Sequence, residues 1–267
     1  MRRLKSDLAV FALVVRTSIY KVLGLLVLMA AVQLALFGAV VSRQLEQETI
    51  SRDLEWASQD PEAAGGHLEI FESLLESCGV PIVFFAAFLL VCMVMAWADS
   101  DRKGCRTTYL LGRLNVGRTK LFAPRTVYHM GCLVLLFGVQ IGLVLVMYGA
   151  YERLQNPEYL SPQALFLAFY RSDFLHSLVP MEETVRWVRN AFLILAGSME
   201  ISFWNGTPGN AKRRMLLVIW VLFTILTFSN AIGNIWSDVW VIILNVFCMV
   251  ITTAEVLGFW GRDIYDK

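Results

Sequence analysis

Residues 112–119 read Gly-Arg-Leu-Asn-Val-Gly-Arg-Thr. One substitution separates them from the phosphate-loop pattern GxxxxGK[ST], with Arg118 in the lysine position. A phosphate loop works because a buried strand delivers it to a helix N-terminus, whose free backbone N–H groups gather round the anion. The preceding residues, Cys105-Arg-Thr-Thr-Tyr-Leu-Leu, make no apolar strand. The whole connection is about thirty residues long, far below the size of a nucleotide-binding domain. The match is therefore read as chance, and neither nucleotide nor cofactor is expected on this chain.

The carboxylates and histidines offer other chemistry. Glu182-Glu183-Thr-Val-Arg186 is similar to the EExxxR signature of intramembrane CAAX-type proteases, one residue short and without that family's later histidine motifs. With His176 as the nearby imidazole, the ligands are too few for a metal, and HExxH is absent. Carboxylates in the first turn of a helix, favoured by its dipole, account for the same residues. No catalytic or metal site is expected. Glu200 and Glu255 are the carboxylates inside apolar runs, where a charge is costly and functional by default. Both fall near the ends of their runs, within reach of Lys212, Arg213, Arg214 or Arg262, so pairing is the first expectation and a proton or substrate path the second. His129 reads as an interfacial polar residue. Cys78, Cys92, Cys105, Cys132 and Cys248 show no CxxC spacing and read as small apolar residues.

What must position these groups is a membrane bundle. Of 267 residues, 57% are hydrophobic and 17% charged, and the apolar residues are gathered into runs. Val22–Val41, Val80–Ala98, Met130–Tyr151, Met215–Ile232 and Val239–Trp260 are long enough to cross a bilayer, and Trp187–Trp204 is marginal. The expected fold is all-α, a single six-span domain over residues 1–267.

Charge segregation sets the orientation. Arg2, Arg3 and Lys5, the 99–126 connection, and Lys212-Arg213-Arg214 are basic, whereas 42–79 is strongly acidic and 152–186 is mixed. Both termini are therefore expected in the cytoplasm, with the acidic segments outside. Trp97, Trp204 and Trp260 fall at inner ends, and Trp187, Trp236 and Trp240 at outer ones. Residues 1–21 read as an amphipathic helix, Leu4 to Lys21, lying along the inner surface before turning into the first span. In the acidic segment, Leu45–Trp56 and Leu68–Leu75 look like separate helical patches. Ser161-Pro162 starts an amphipathic helix carrying Phe166, Phe169, Tyr170 and Phe174.

The basic 99–126 connection has its own pattern. Arg102, Arg106, Tyr109 and Arg113 fall on one helical stripe, beside a ridge of Leu110, Leu111 and Leu114. Asn115 and Gly117 can take the left-handed conformations that stop a helix. Arg118, Leu121, Phe122 and Arg125 then resume helical spacing. An apolar knob inside a basic collar suits docking into a partner's groove, and the candidate docking residues are Arg106, Tyr109, Leu110, Leu111, Arg113, Leu114, Val116 and Arg118. The bland account is a loop held by anionic headgroups.

Leu114-Asn-Val-Gly-Arg-Thr-Lys-Leu-Phe, between the second and third spans, resembles the coupling segment of type-2 ABC transporter permeases. That family often shows leucine-proline-valine-serine-arginine here. Leu114, Val116 and Arg118 match, while Asn115 and Gly117 depart. The N-terminal helix resembles the family's elbow helix. The resemblance implies the membrane subunit of an ATP-driven transporter, commonly an exporter in the cell membrane. Its partners would be a separate ABC ATPase docked through 102–122, a second permease copy or paralogue, and the lipid bilayer, with no nucleic acid. Short outer helices common before the family's last span have little room in Ser229–Asp238. A non-transporting scaffold or sensor subunit is the alternative.

Overall fold

The computed structural model describes residues 2–58, 68–97, 118–155, 161–206, 211–229 and 232–258. Every regular element among them is a helix: α1 (Arg2–Ser58), α2 (Phe71–Ser77), α3 (Val80–Trp97), α4 (Arg118–Leu154), α5 (Ala164–Arg171), α6 (Asp173–Leu178), α7 (Thr184–Gly206), α8 (Ala211–Phe228) and α9 (Ile235–Val256). Among the described residues, four stretches are long and apolar enough to cross a membrane: Ser18–Gln47 within α1, α3, Phe122–Leu154 within α4, and α9. Such helices satisfy their backbone polar groups internally, which a hydrocarbon solvent demands. The chain is an all-helical, multi-pass membrane protein.

α1 runs 57 residues without interruption. The elbow expected over 4–21 is not set off from the span by any break, and the patch at Leu45–Trp56 is the same helix continued. Neither glycine nor proline occurs between Val41 and Ser58, so nothing stops the hydrogen-bond ladder where the hydropathy falls. The buried side chains Ser18, Val22, Leu26, Met29, Gln33, Phe37 and Val41 recur at steps of three and four, making one face that packs on α3 and α4. Tyr20, Val27 and Leu28 project from the opposite side.

α2 is a short helix whose Phe71 packs edge-on against Tyr148 and lies beside Tyr151 of α4. Gly79, at φ +67°, then makes the sharp entry into α3 that a side chain would resist. The expected amphipathic helix after Pro162 is present as α5, with Phe166 and Tyr170 exposed, but it ends at Arg171. Ser172 accepts the N–H of Leu175 through its hydroxyl and starts α6, so Phe174 belongs to α6 and is buried.

A helix that carries buried charges lies at the centre of the bundle. α7 packs against α3, α4, α8 and α9. Arg186, Arg189, Asn190, Leu193, Ala196, Glu200 and Ile201 line its buried faces, whereas Trp187 and Val188 point out. Gly197 lets α8 close in, because a Cβ there would collide with the buried ring of Trp220. Beneath one end of α7, Phe84, Phe85, Phe137, Phe174 and Phe228 form an aromatic cluster with centroids 5.5–6.1 Å apart along its closest contacts.

Candidate functional site: a polar seam along the central helix

An apolar bundle can bury polar side chains only by pairing them across helices. α9 contributes through a strict repeat, Asp238, Asn245 and Thr252, two helical turns apart and all buried. α7 presents Arg186, Leu193 and Glu200 with the same interval. The seam thus has rungs at both ends and an anchor between them.

The rung at the start of α7 and α9 is an ion network. Asp238, 1% exposed, spans two guanidiniums: its Oδ1 accepts from Arg189 Nη1 at 2.6 Å and its Oδ2 from Arg186 Nε at 3.1 Å. Glu183 Oε2 pairs with Arg186 Nε at 2.6 Å. Arg189 Nη2 also donates to Asn190 Oδ1 and the Ser177 carbonyl, and Asn190 Nδ2 donates to that same carbonyl at 2.8 Å. Arg186 Nη1 reaches the Ser177 hydroxyl. The Arg189 guanidinium lies over the Phe228 ring, 5.3 Å from its centroid, a cation–π contact that seats the network on the aromatic cluster. His176, 1% exposed, stands with Nε2 3.9 Å from Glu183 Oε2, and neither ring nitrogen has a hydrogen-bond partner among the described residues.

The middle anchor joins α8 to α9. Trp220 Nε1 donates to Asn245 Oδ1 at 2.8 Å, and Asn245 Nδ2 donates to the Val241 carbonyl. At the far end Glu200 Oε1 accepts the hydroxyl of Thr252. One turn beyond Thr252 comes Glu255, half-buried. On the α4 side, the Ser202 hydroxyl lies 2.6 Å from the Ser198 carbonyl and 2.8 Å from His129 Nδ1, joining α7 to α4.

α1 is attached by two further pairs. The Ser18 and Tyr128 hydroxyls are 2.7 Å apart, and Gln33 Nε2 donates to Gln140 Oε1 at 2.8 Å in the middle of the two spans. The remaining atoms of that second pair, Gln33 Oε1 and Gln140 Nε2, have no partner among the described residues.

Several expectations change in this light. His129 is 1% exposed, enclosed by the bundle. The described partner of Glu200 is a hydroxyl, while the side chains of Lys212, Arg213, Arg214 and Arg262 lie outside the described residues. Glu183 lies beside His176 but is paired with Arg186, and no group of three or more His, Cys, Asp and Glu gathers for a metal among the described residues. Of the docking residues, Arg106, Tyr109, Leu110, Leu111, Arg113, Leu114 and Val116 lie outside the described set. Arg118 begins α4, so the helical spacing expected after Gly117 is present in the backbone.

Sequence reasoning overlooked the Asp238–Asn245–Thr252 repeat, which was visible as a seven-residue interval in an otherwise apolar run. Compared with protein-family models, curated proteins and solved structures, the chain matches none. The class it can be given is therefore the one its own fold defines, a multi-pass helical membrane protein with a charged seam at its centre.

Proposed function

We propose that the chain is the membrane-spanning permease subunit of an ATP-driven exporter, with a separate ATPase docked on the 102–122 hairpin. The observation that supports this most is the position of α7. Ionisable residues within a bilayer are costly, face the bundle interior and mark substrate or ion pathways. Here Arg186, Arg189 and Glu200 lie on the innermost helix, turned toward α9. The likeness of Leu114, Val116 and Arg118 to the coupling segment of type-2 ABC permeases supplies the energy source. A second reading, a non-transporting scaffold or sensor subunit, draws on the closed cross-helix pairs Ser18–Tyr128, Gln33–Gln140 and Trp220–Asn245.

In this reading α7 and α8 are the remaining spans. With 23 and 18 residues they reach roughly 34 and 27 Å, near the thickness of a hydrocarbon core. Both termini then face the cytoplasm of a cell-membrane protein. Cysteines placed singly at Ala63 and Asn210 should label from outside and from inside respectively. Labelling of both from one side would end the six-span arrangement.

The functional test is purification from native membranes in mild detergent. An ATP-hydrolysing subunit should accompany the chain, and reconstitution of that subunit with the chain should raise its hydrolysis rate. The chain by itself should bind no ATP. A folded chain that neither retains an ATPase nor changes its rate argues for the scaffold.

A further inference from the structure

The start of α9 and the turn before it are fastened to α6 and α7 by charged side chains. Asp173, the first residue of α6, accepts the backbone N–H of Ile232 at 3.1 Å. Glu183 Oε1 accepts that of Gly233 at 3.2 Å. Gly233 holds φ +86°, a conformation that gives the turn its direction and that other residues resist. One turn into α9, Asp238 grips Arg186 and Arg189. The inner part of the helix is anchored separately, through Asn245 to Trp220 and Thr252 to Glu200.

These outer contacts share charges, and that couples them. Glu183 serves both Arg186 and the Gly233 amide, and Asp238 serves both arginines. Losing one contact while the rest stay buried would strand a guanidinium or a carboxylate without its counterion, which is strongly unfavourable. The low-energy alternatives are full docking, with each charge paired, or a lift large enough for water to reach both arginines. His176 pulls the other way. Its ring is buried against Tyr170 with neither nitrogen hydrogen-bonded among the described residues, a cost that the docked state carries and that solvent would remove.

We propose that residues 232–240 are a strap that undocks from α6 and the start of α7 as one cooperative unit, while α9 from Asn245 onward stays in place. Its release bares Arg186, Arg189 and His176 together and opens the outer end of the polar seam. In a permease this strap is the outer closure of the route. That meaning rests on the proposed function, whereas the motion and its test do not.

Hydrogen–deuterium exchange of the full chain in lipid nanodiscs reads the motion directly. Peptides 232–238 and 173–179 should share one opening rate, faster than that of 245–256. Asp238→Asn should speed exchange in both by roughly ten- to a hundredfold, the effect of losing a charge-assisted hydrogen bond, and leave 245–256 unchanged. His176→Phe, which removes the unpartnered nitrogens and keeps the ring, should slow exchange in both. Different responses of the two outer peptides would overturn the strap, as would equal acceleration along all of α9. If Asp238→Asn does not fold, His176→Phe decides: no slowing in either outer peptide refutes the proposal. Because no ATPase or substrate enters the measurement, a failed co-purification leaves this result standing, and the reverse also holds.

Discussion

Asp238→Ala is expected to destabilise the bundle by about 3–5 kcal/mol, because it leaves two buried guanidiniums to share what remains. Arg189 is bonded to this carboxylate at 2.6 Å and keeps afterwards, as hydrogen-bond acceptors among the described residues, the Asn190 amide oxygen and the Ser177 carbonyl, with the Phe228 ring beneath it. Neither acceptor carries charge. Arg186 is better placed, since Glu183 remains 2.6 Å away. Arg189→Met should therefore cost less than Asp238→Ala, as it removes a buried charge while Asp238 still holds Arg186. Glu72→Ala supplies the control. Its ion pair with Arg171 is long, 3.5 Å, and solvent screens it from the arginine side, which is 56% exposed against 14% for Glu72, so it should contribute about 1 kcal/mol or less. Reversible unfolding in mixed detergent micelles would rank the three variants. If Asp238→Ala lay within about 1 kcal/mol of the parent, the network would be a surface feature and not a buried one.

That ranking bears on what the sequence could show. Each expected apolar run falls largely within a helix, since hydropathy and length measure the one property a bilayer demands. Helix ends were harder. Ser42-Arg43-Gln44 looked like a boundary because polarity rises there, yet polarity does not end a helix, and the backbone continues to Ser58. Conversely, the stretch from Ala164 to Leu178 keeps its periodicity, but the hydroxyl of Ser172 divides it into α5 and α6. Local hydrogen bonding, not hydropathy, decides such points.

The seam was legible only in part. Glu200 stood out because a carboxylate in an apolar run is conspicuous. Asp238 did not, lying near the end of its run among polar neighbours, and its partners Arg186 and Arg189 come from another helix. A single helix announces which of its faces is polar; it does not announce the face it meets. The interval from Asp238 to Asn245 to Thr252 was the available sign, and pairing it with Arg186 and Glu200 required the packing of α7 on α9. His129 shows the same limit, for its partner Ser202 lies 73 residues away in sequence.

Leu114→Asp should abolish co-purification with an ATPase while leaving membrane insertion intact. The expectation rests on sequence, since residues 98–117 lie outside the described structure. On the helical spacing expected from the sequence, Leu110, Leu111 and Leu114 would share one side of the basic segment that precedes α4. Burying a leucine at an interface contributes roughly 1.5–3 kcal/mol, and placing a carboxylate there adds a desolvation cost on top. A single arginine in the collar is worth far less, about 0–1 kcal/mol when exposed, so Arg106→Ala should weaken the complex only mildly. That mild effect should grow at low salt, where screening is least. Headgroup attraction makes the opposite ranking, with Arg106 mattering and Leu114 not, because lipids read charge. The two substitutions measured together in pull-down and in ATPase stimulation therefore separate a docking knob from a lipid-facing loop. A complex that survives Leu114→Asp with its stimulation unchanged would remove the docking role from this segment and the strongest sequence support for a permease with it.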